Sequence, residues 1–214
     1  MLQPGRKAAA LSVAFSVLGG LLSACSKSEE VAPASPPATY ALTDMRYFMA
    51  ADDRIDSTTV LLKTISVQNP TDVLLTQQVE VDYELKKTSQ FTIAQANPLP
   101  AQVKLGDFKV GVPTNLVGNT LLISPRYQFL LNATPQSKPY DLGYKQVMTI
   151  RVPPRSRIEV TSQVTALQLH CSFRGLVNEE TAQRYPAKQY PVEGKWQGLL
   201  YYHHFSVTFT EHPL

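Results

Sequence analysis

From Tyr40 onward, apolar and polar residues alternate with period two, the spacing of strands whose successive side chains point to opposite faces. The longest run places Val79, Val81, Tyr83, Leu85, Phe91 and Ile93 on one face, with Lys87 and Ser89 interrupting it. Glu80, Asp82, Glu84, Lys86, Thr88, Gln90 and Thr92 occupy the other face. This reads as one amphipathic strand over 79–93, well beyond the usual five or six residues. Further alternating runs are Leu121, Ile123, Tyr127, Phe129 and Leu131, then 146–152, then 158–173 with a change of face near Ala166 and Leu167. A last strand is expected at about 199–210. Asn69-Pro70-Thr71-Asp72, Asn97-Pro98-Leu99-Pro100, Gly111-Val112-Pro113 and Pro153-Pro154 supply turns and strand ends. No stretch beyond residue 40 combines a cap, a long 3.6 period and a stop; 177–184 is at most one helical turn. The fold class is therefore all-β, and no repeat of fixed period suggests a propeller or solenoid.

The N-terminus follows a different pattern. Arg6 and Lys7 precede an apolar run from Ala8 to Leu22, and Leu22-Ser23-Ala24-Cys25 follows. The run is short for a ~30 Å hydrocarbon core, and small residues lie where a signal peptidase cuts. Residues 1–24 are expected to be a lipoprotein signal peptide with a lipobox. Cys25 is the lipidation site, so the chain is exported and partnered with a membrane through its N-terminal lipid, at the outer membrane or cell surface. Residues 25–39 carry Ser, Lys, Glu, Ala and Pro and read as a disordered tether, which leaves 40–214 as the β-domain. Removing Arg6 and Lys7 lowers the formal net charge from +3 to +1, so no basic surface points to nucleic acid. With Cys25 lipidated, Cys171 is left as a free thiol, suited to a buried position beside Leu169 and Phe173.

Several pieces occur in an order that carries a family resemblance. Val67-Gln68-Asn69-Pro70-Thr71-Asp72 precedes the long alternating run. Phe108-Lys109-Val110-Gly111-Val112-Pro113 and Arg126-Tyr127-Gln128-Phe129 come next, followed by Ile150-Arg151-Val152-Pro153-Pro154-Arg155-Ser156-Arg157-Ile158-Glu159-Val160 and then Gly194-Lys195-Trp196-Gln197-Gly198. Over about 59–211 the chain resembles the aerolysin-like β-pore-forming toxins, in particular the epsilon toxin and mosquitocidal toxin branch. The resemblance implies an elongated body of long, twisted antiparallel strands. It also implies a homo-oligomeric ring, a target membrane or glycan as partner, and a hairpin from each protomer that joins a transmembrane barrel. Family order places that hairpin within 76–113, with arms at 79–93 and about 103–112. Its candidate membrane-insertion residues are Val79, Val81, Tyr83, Leu85, Phe91 and Ile93. The chain departs from the family's Ser/Thr-rich hairpin by carrying Glu80, Asp82, Glu84, Lys86 and Lys87 there.

Candidate chemistry elsewhere is sparse. His203 and His204 adjoin on a strand and so face opposite sides, as do His170 and Cys171. No phosphate-binding loop, nucleophile elbow or carboxylate pair is present, so neither a catalytic site, a metal nor a cofactor is expected, and the chain does not read as an enzyme. Tyr185, Tyr190, Trp196 and Tyr202 form a candidate aromatic binding surface for a receptor or glycan. Two functions follow from these features. One is a membrane-anchored lipoprotein whose pore-forming body acts by oligomerisation and hairpin insertion. The other is an envelope or surface lipoprotein whose β-domain binds a partner or glycan and makes no pore.

Overall fold

The computed structural model describes residues 38–214 except 83, 95–97, 141–144 and 181–187. The signal peptide, Cys25, Tyr83 and Tyr185 lie outside the described residues. Eleven strands are described. They begin with β1 (Thr39–Phe48), β2 (Arg54–Leu61), β3 (Ile65–Asn69), β4 (Leu75–Asp82) and β5 (Lys86–Ala94). After a 3₁₀ turn at Leu105–Asp107 come β6 (Lys109–Val117), β7 (Thr120–Leu130), β8 (Gln136–Pro139) and β9 (Lys145–Val152). The chain ends in β10 (Ser156–Glu180) and β11 (Gln189–Pro213), each of 25 residues.

All pairings are antiparallel, and the β10–β11 pair organises the rest. One edge of β10 is covered end to end by β3, β2 and β1, which pair with residues 156–160, 163–170 and 172–180 in turn. β5 pairs with residues 193–198 of β11, and β8 continues the sheet beyond β5. β4 pairs with β9, and β6 with β7, as two separate two-stranded sheets.

The expected change of face on β10 is present, and it separates two cores. Ile158, Val160 and Val164 are buried with Val67, Val79, Val81, Leu85, Ile150 and Val152. Beyond Ala166 the buried positions become odd-numbered: Leu169, Cys171, Phe173 and Val177 pack with Phe91, Val110, Val112, Tyr127, Phe129, Leu131, Val192, Trp196 and Leu200. Alternate strand residues point to opposite faces, so one strand carries one core on each face at different heights. β11 accommodates this with two extra residues relative to β10. Leu167 pairs with Tyr201 but Gln168 with Leu199, and Gln163 pairs with Ser206 but Thr165 with His203. His204, inside the second irregularity, has φ +49°. A bulge of this kind turns a strand and increases its twist.

The single long strand expected over 79–93 is instead two strands in different sheets. Val79, Val81 and Leu85 belong to the second core, and Phe91 to the first, with Ile93 packed partly against it. The two expected hairpin arms do not pair with each other. β5 lies between β11 and β8, while 103–112 forms the 3₁₀ turn and the start of β6, whose partner is β7. The period-two pattern survives such a break because the buried residues of both strands fall at odd-numbered positions.

Close approach of β5 to β11 depends on two glycines. A Cβ on Gly194 would stand 2.1 Å from the Thr92 carbonyl oxygen, and one on Gly198 would stand 2.4 Å from that of Thr88. Both oxygens are backbone, so a side chain would have to push β5 away. Gly194→Ala is expected to lose about 1–3 kcal/mol of stability. A urea titration would read this as a lower midpoint at unchanged slope.

Candidate functional site

The two polar residues that interrupt the apolar face of β5 are both buried, and each has a defined partner. Ser89 Oγ accepts a hydrogen bond from Trp196 Nε1 at 2.9 Å. Lys87 is 0% exposed, and its Nζ donates to the carbonyl oxygens of Pro113 (2.7 Å), Leu200 (3.0 Å) and Leu199. Leu199 and Leu200 lie at the β11 irregularity opposite Leu167 and Gln168, and Pro113 lies beside a bulge in β6. Irregular pairing there leaves backbone oxygens for a side-chain donor to satisfy. The rings of Tyr127 and Trp196 stand 5.7 and 5.9 Å from Nζ and add a cation–π surface. Lys138 is opposite Lys87 in the β5–β8 register, with its ammonium over the Phe129 ring.

Burial pulls the Lys87 pKa down to about 7. Three carbonyl acceptors match the three donors of an ammonium, so hydrogen bonding favours the charged form that burial disfavours. Without the side chain, those buried oxygens would lose their donor, at a cost of about 1–3 kcal/mol for each one left unsatisfied.

What Lys87 grips is the β6–β7 hairpin. Its turn is Gly118-Asn119, with Gly118 at φ +58° as a two-residue type II′ turn requires at its first position. Residues 110–125 contain no charge, and Lys109 and Arg126 bracket them. Val110, Val112, Tyr127 and Phe129 at the base are buried in the first core, whereas Val117, Leu122 and Ile123 near the tip are exposed. Pairing is irregular. Gly111 pairs with Gln128 but Val112 with Ser124, and Pro113 pairs with Ile123 but Asn115 with Leu122. A second contact holds the same strand: Tyr47 Oη donates to the Gly111 carbonyl oxygen at 2.8 Å. Burial raises the Tyr47 pKa, so that donor stays protonated.

Among the described residues of the expected aromatic surface, Tyr190, Trp196 and Tyr202 are each packed separately. Trp196 is fully buried, edge-on to Tyr47 at 6.0 Å. Tyr202 is half-buried, packs edge-on against Tyr140 at 5.0 Å and donates to the Lys86 carbonyl oxygen. Tyr190 packs partly against the first core. The rings are drawn inward because the sheet offers Trp196 both an apolar slot and the Ser89 hydroxyl. Cys171 is a buried free thiol, and His170, on the other face, pairs with Asp56 at 3.2 Å. Among the described residues, no group of three or more His, Cys, Asp or Glu side chains could hold a metal ion. Beside β5, β8 and β11 lies an uncharged cleft of about 240 Å³ whose lining includes Thr88, Gln90, Gln136, Ser137, Gln168 and Gln197.

No protein-family model matches the chain, and no curated protein matches it. Among solved structures, parasporin-2 of Bacillus thuringiensis, a toxin that recognizes cancer cells, aligns at 12% identity with a TM-score of 0.51, over 82% of this chain and 75% of that one. The lamprey immune protein aligns at 14% identity and TM-score 0.48, over 81% of this chain; the chain spans 53% of that protein's length. The β-pore-forming protein Mpp75Aa1.1 of Brevibacillus laterosporus aligns at 10% identity and TM-score 0.35, over 81% and 77% of the two chains. The likeness is one of fold, and parasporin-2, whose fold the chain shares, carries it.

The Lys87 geometry sets a pH dependence. Between pH 7 and the ordinary lysine value of 10.5, the unfolded chain binds a proton that the folded chain has released, so stability rises with pH. The slope is at most about 1.4 kcal/mol per pH unit. Cys171 opposes this from about pH 8.5 upward, because burial pushes its thiol to about 12 while the unfolded thiol ionises. Urea titrations of the wild type and Lys87→Met across that lower window, pH 7 to about 8.5, are expected to show the wild type gaining on the variant as pH rises. A constant difference would mean that Lys87 titrates as a solvated lysine.

Proposed function

We propose that the chain is a membrane-anchored lipoprotein that acts by oligomerising and inserting a β-hairpin, and that the inserting hairpin is β6–β7. The observation that carries this reading is the charge-free span 110–125, placed on a hairpin whose arms are 9 and 11 residues long. A barrel strand needs about 9–11 residues to cross the hydrocarbon, apolar outward and polar inward. Counting outward from the Gly118-Asn119 turn without bulges sorts the residues accordingly. Val110, Val112, Leu116, Leu121, Ile123 and Tyr127 then share one face with Thr114. Asn115, Thr120, Ser124, Arg126 and Gln128 share the other with Leu122 and Val117. The bulged, docked register hides this pattern.

A second reading has its own support. Pro113 and Pro125 each lack an N–H, so a barrel made from these arms would have two gaps per hairpin in its ladder. The uncharged cleft of amides and hydroxyls has the donors and acceptors that suit a glycan. Both favour a surface lipoprotein that keeps the toxin-like body and binds with it.

Dye release from liposomes separates the two readings. Ile123 and Asn115 are both exposed in the docked hairpin, so a lysine at either is expected to change stability by less than about 0.5 kcal/mol. In a barrel, Ile123→Lys faces lipid at mid-depth, at a cost of about 2–4 kcal/mol per protomer, whereas Asn115→Lys faces the lumen. Insertion predicts that Ile123→Lys abolishes release and Asn115→Lys retains it. Equal release from both would remove β6–β7 from the pore, and no release by the wild type on any lipid mixture would leave the binding reading. Anchoring is tested separately by metabolic labelling with a fatty acid: the wild type is expected to incorporate label, and Cys25→Ser to incorporate none and to leave the membrane fraction.

A further inference from the structure

We infer that Lys87 is the clasp that holds the β6–β7 hairpin in its docked, bulged register, and that the hairpin leaves the body when Lys87 gives up the Pro113 carbonyl. Its consequence for membranes rests on the insertion reading above; the clasp itself does not. One side chain from β5 meets a carbonyl of β6, two consecutive carbonyls of β11, the Tyr127 ring of β7 and the Trp196 ring of β11. Cutting that contact removes the β5 side chain that ties β6 to β11, leaving the Tyr47 hydrogen bond from β1 and the apolar base in place.

Lysine suits a releasable contact better than an apolar residue would. In the docked state it satisfies three backbone oxygens but is removed from water, and the second effect penalises its charge. When the hairpin lifts, the ammonium regains hydration, and the Pro113 carbonyl can pair within a regular ladder. The interaction therefore specifies the register strongly while contributing little net stability. A wholly apolar seam would hold the hairpin without that partial compensation on opening. The second core contains none of these groups and meets them through Tyr140, which stacks on Tyr127, so its strands are expected to respond to Lys87 much less than the hairpin does.

Hydrogen exchange of the full-length chain, read by mass spectrometry, tests the clasp without a membrane. Lys87→Met is expected to speed exchange of amides in 110–117 and 120–130 by about tenfold or more, with β3, β4 and β9 changing less than about threefold. Lys87→Gln, which keeps two donors on a shorter stem, is expected to be intermediate. Val164→Ala, a cavity in the second core, is expected to loosen β3, β4 and β9 instead. Unchanged hairpin exchange, or the same acceleration everywhere, would overturn the clasp. So would failure of both Lys87 variants to fold, since Lys87 would then support the whole body. Selective loosening without dye release would keep the clasp and remove the insertion reading. Dye release by the wild type with no selective loosening would do the reverse.

Discussion

A buried lysine facing three backbone carbonyls is the interaction that joins β5, β6 and β11 beside the first core. Two strands that cannot pair regularly, β6 beside its bulge and β11 at its own, expose carbonyls to the same point, and Lys87 reaches that point from β5. The cost of burying a charge is offset in part by donor–acceptor matching rather than by a counter-ion, with aromatic faces on two sides. Trp196 and Ser89 complete the arrangement. The indole fills the slot left by Gly198 and gives its N–H to the hydroxyl next along the same face of β5.

The remaining architecture explains why such a point exists. One pair of long strands carries two cores on opposite faces, and the crossover between them falls at Ala166–Leu169, beside the β11 bulge that presents Leu199 and Leu200. The bulge therefore lets the buried face change and also supplies the acceptors for Lys87. The buried residues of the β6–β7 hairpin belong to the first core, and its link to the β3, β4 and β9 side runs through Tyr140, which stacks on Tyr127 and packs against both cores.

Much of this was legible in the sequence. Period-two alternation gives the all-β class, the reversal near Ala166, the burial of Cys171 and the opposed faces of His170 and Cys171. The ordered motifs point to the fold that parasporin-2 shares. The division of 79–93 into β4 and β5 was not legible, because both halves present apolar residues at the same parity while facing different cores. The role of Lys87 was visible only as a fault in that parity. A charge and a hydroxyl on consecutive apolar-face positions of one run signal buried polar partners, but the partners lie 26 and 112 residues away. Trp196 misleads in the opposite way, since an aromatic residue beside glycines reads equally well as surface or core.

The distance between the hairpin tip and the long strand pair tests the clasp most directly. Spin labels at Val117 and Phe209, both exposed, in a Cys25→Ser, Cys171→Ser background, would give that distance by pulsed electron resonance. If Lys87 holds the hairpin, the wild type gives one narrow distribution, and Lys87→Met adds a second, displaced population without change to the folded core. The same narrow distribution in both proteins would contradict it.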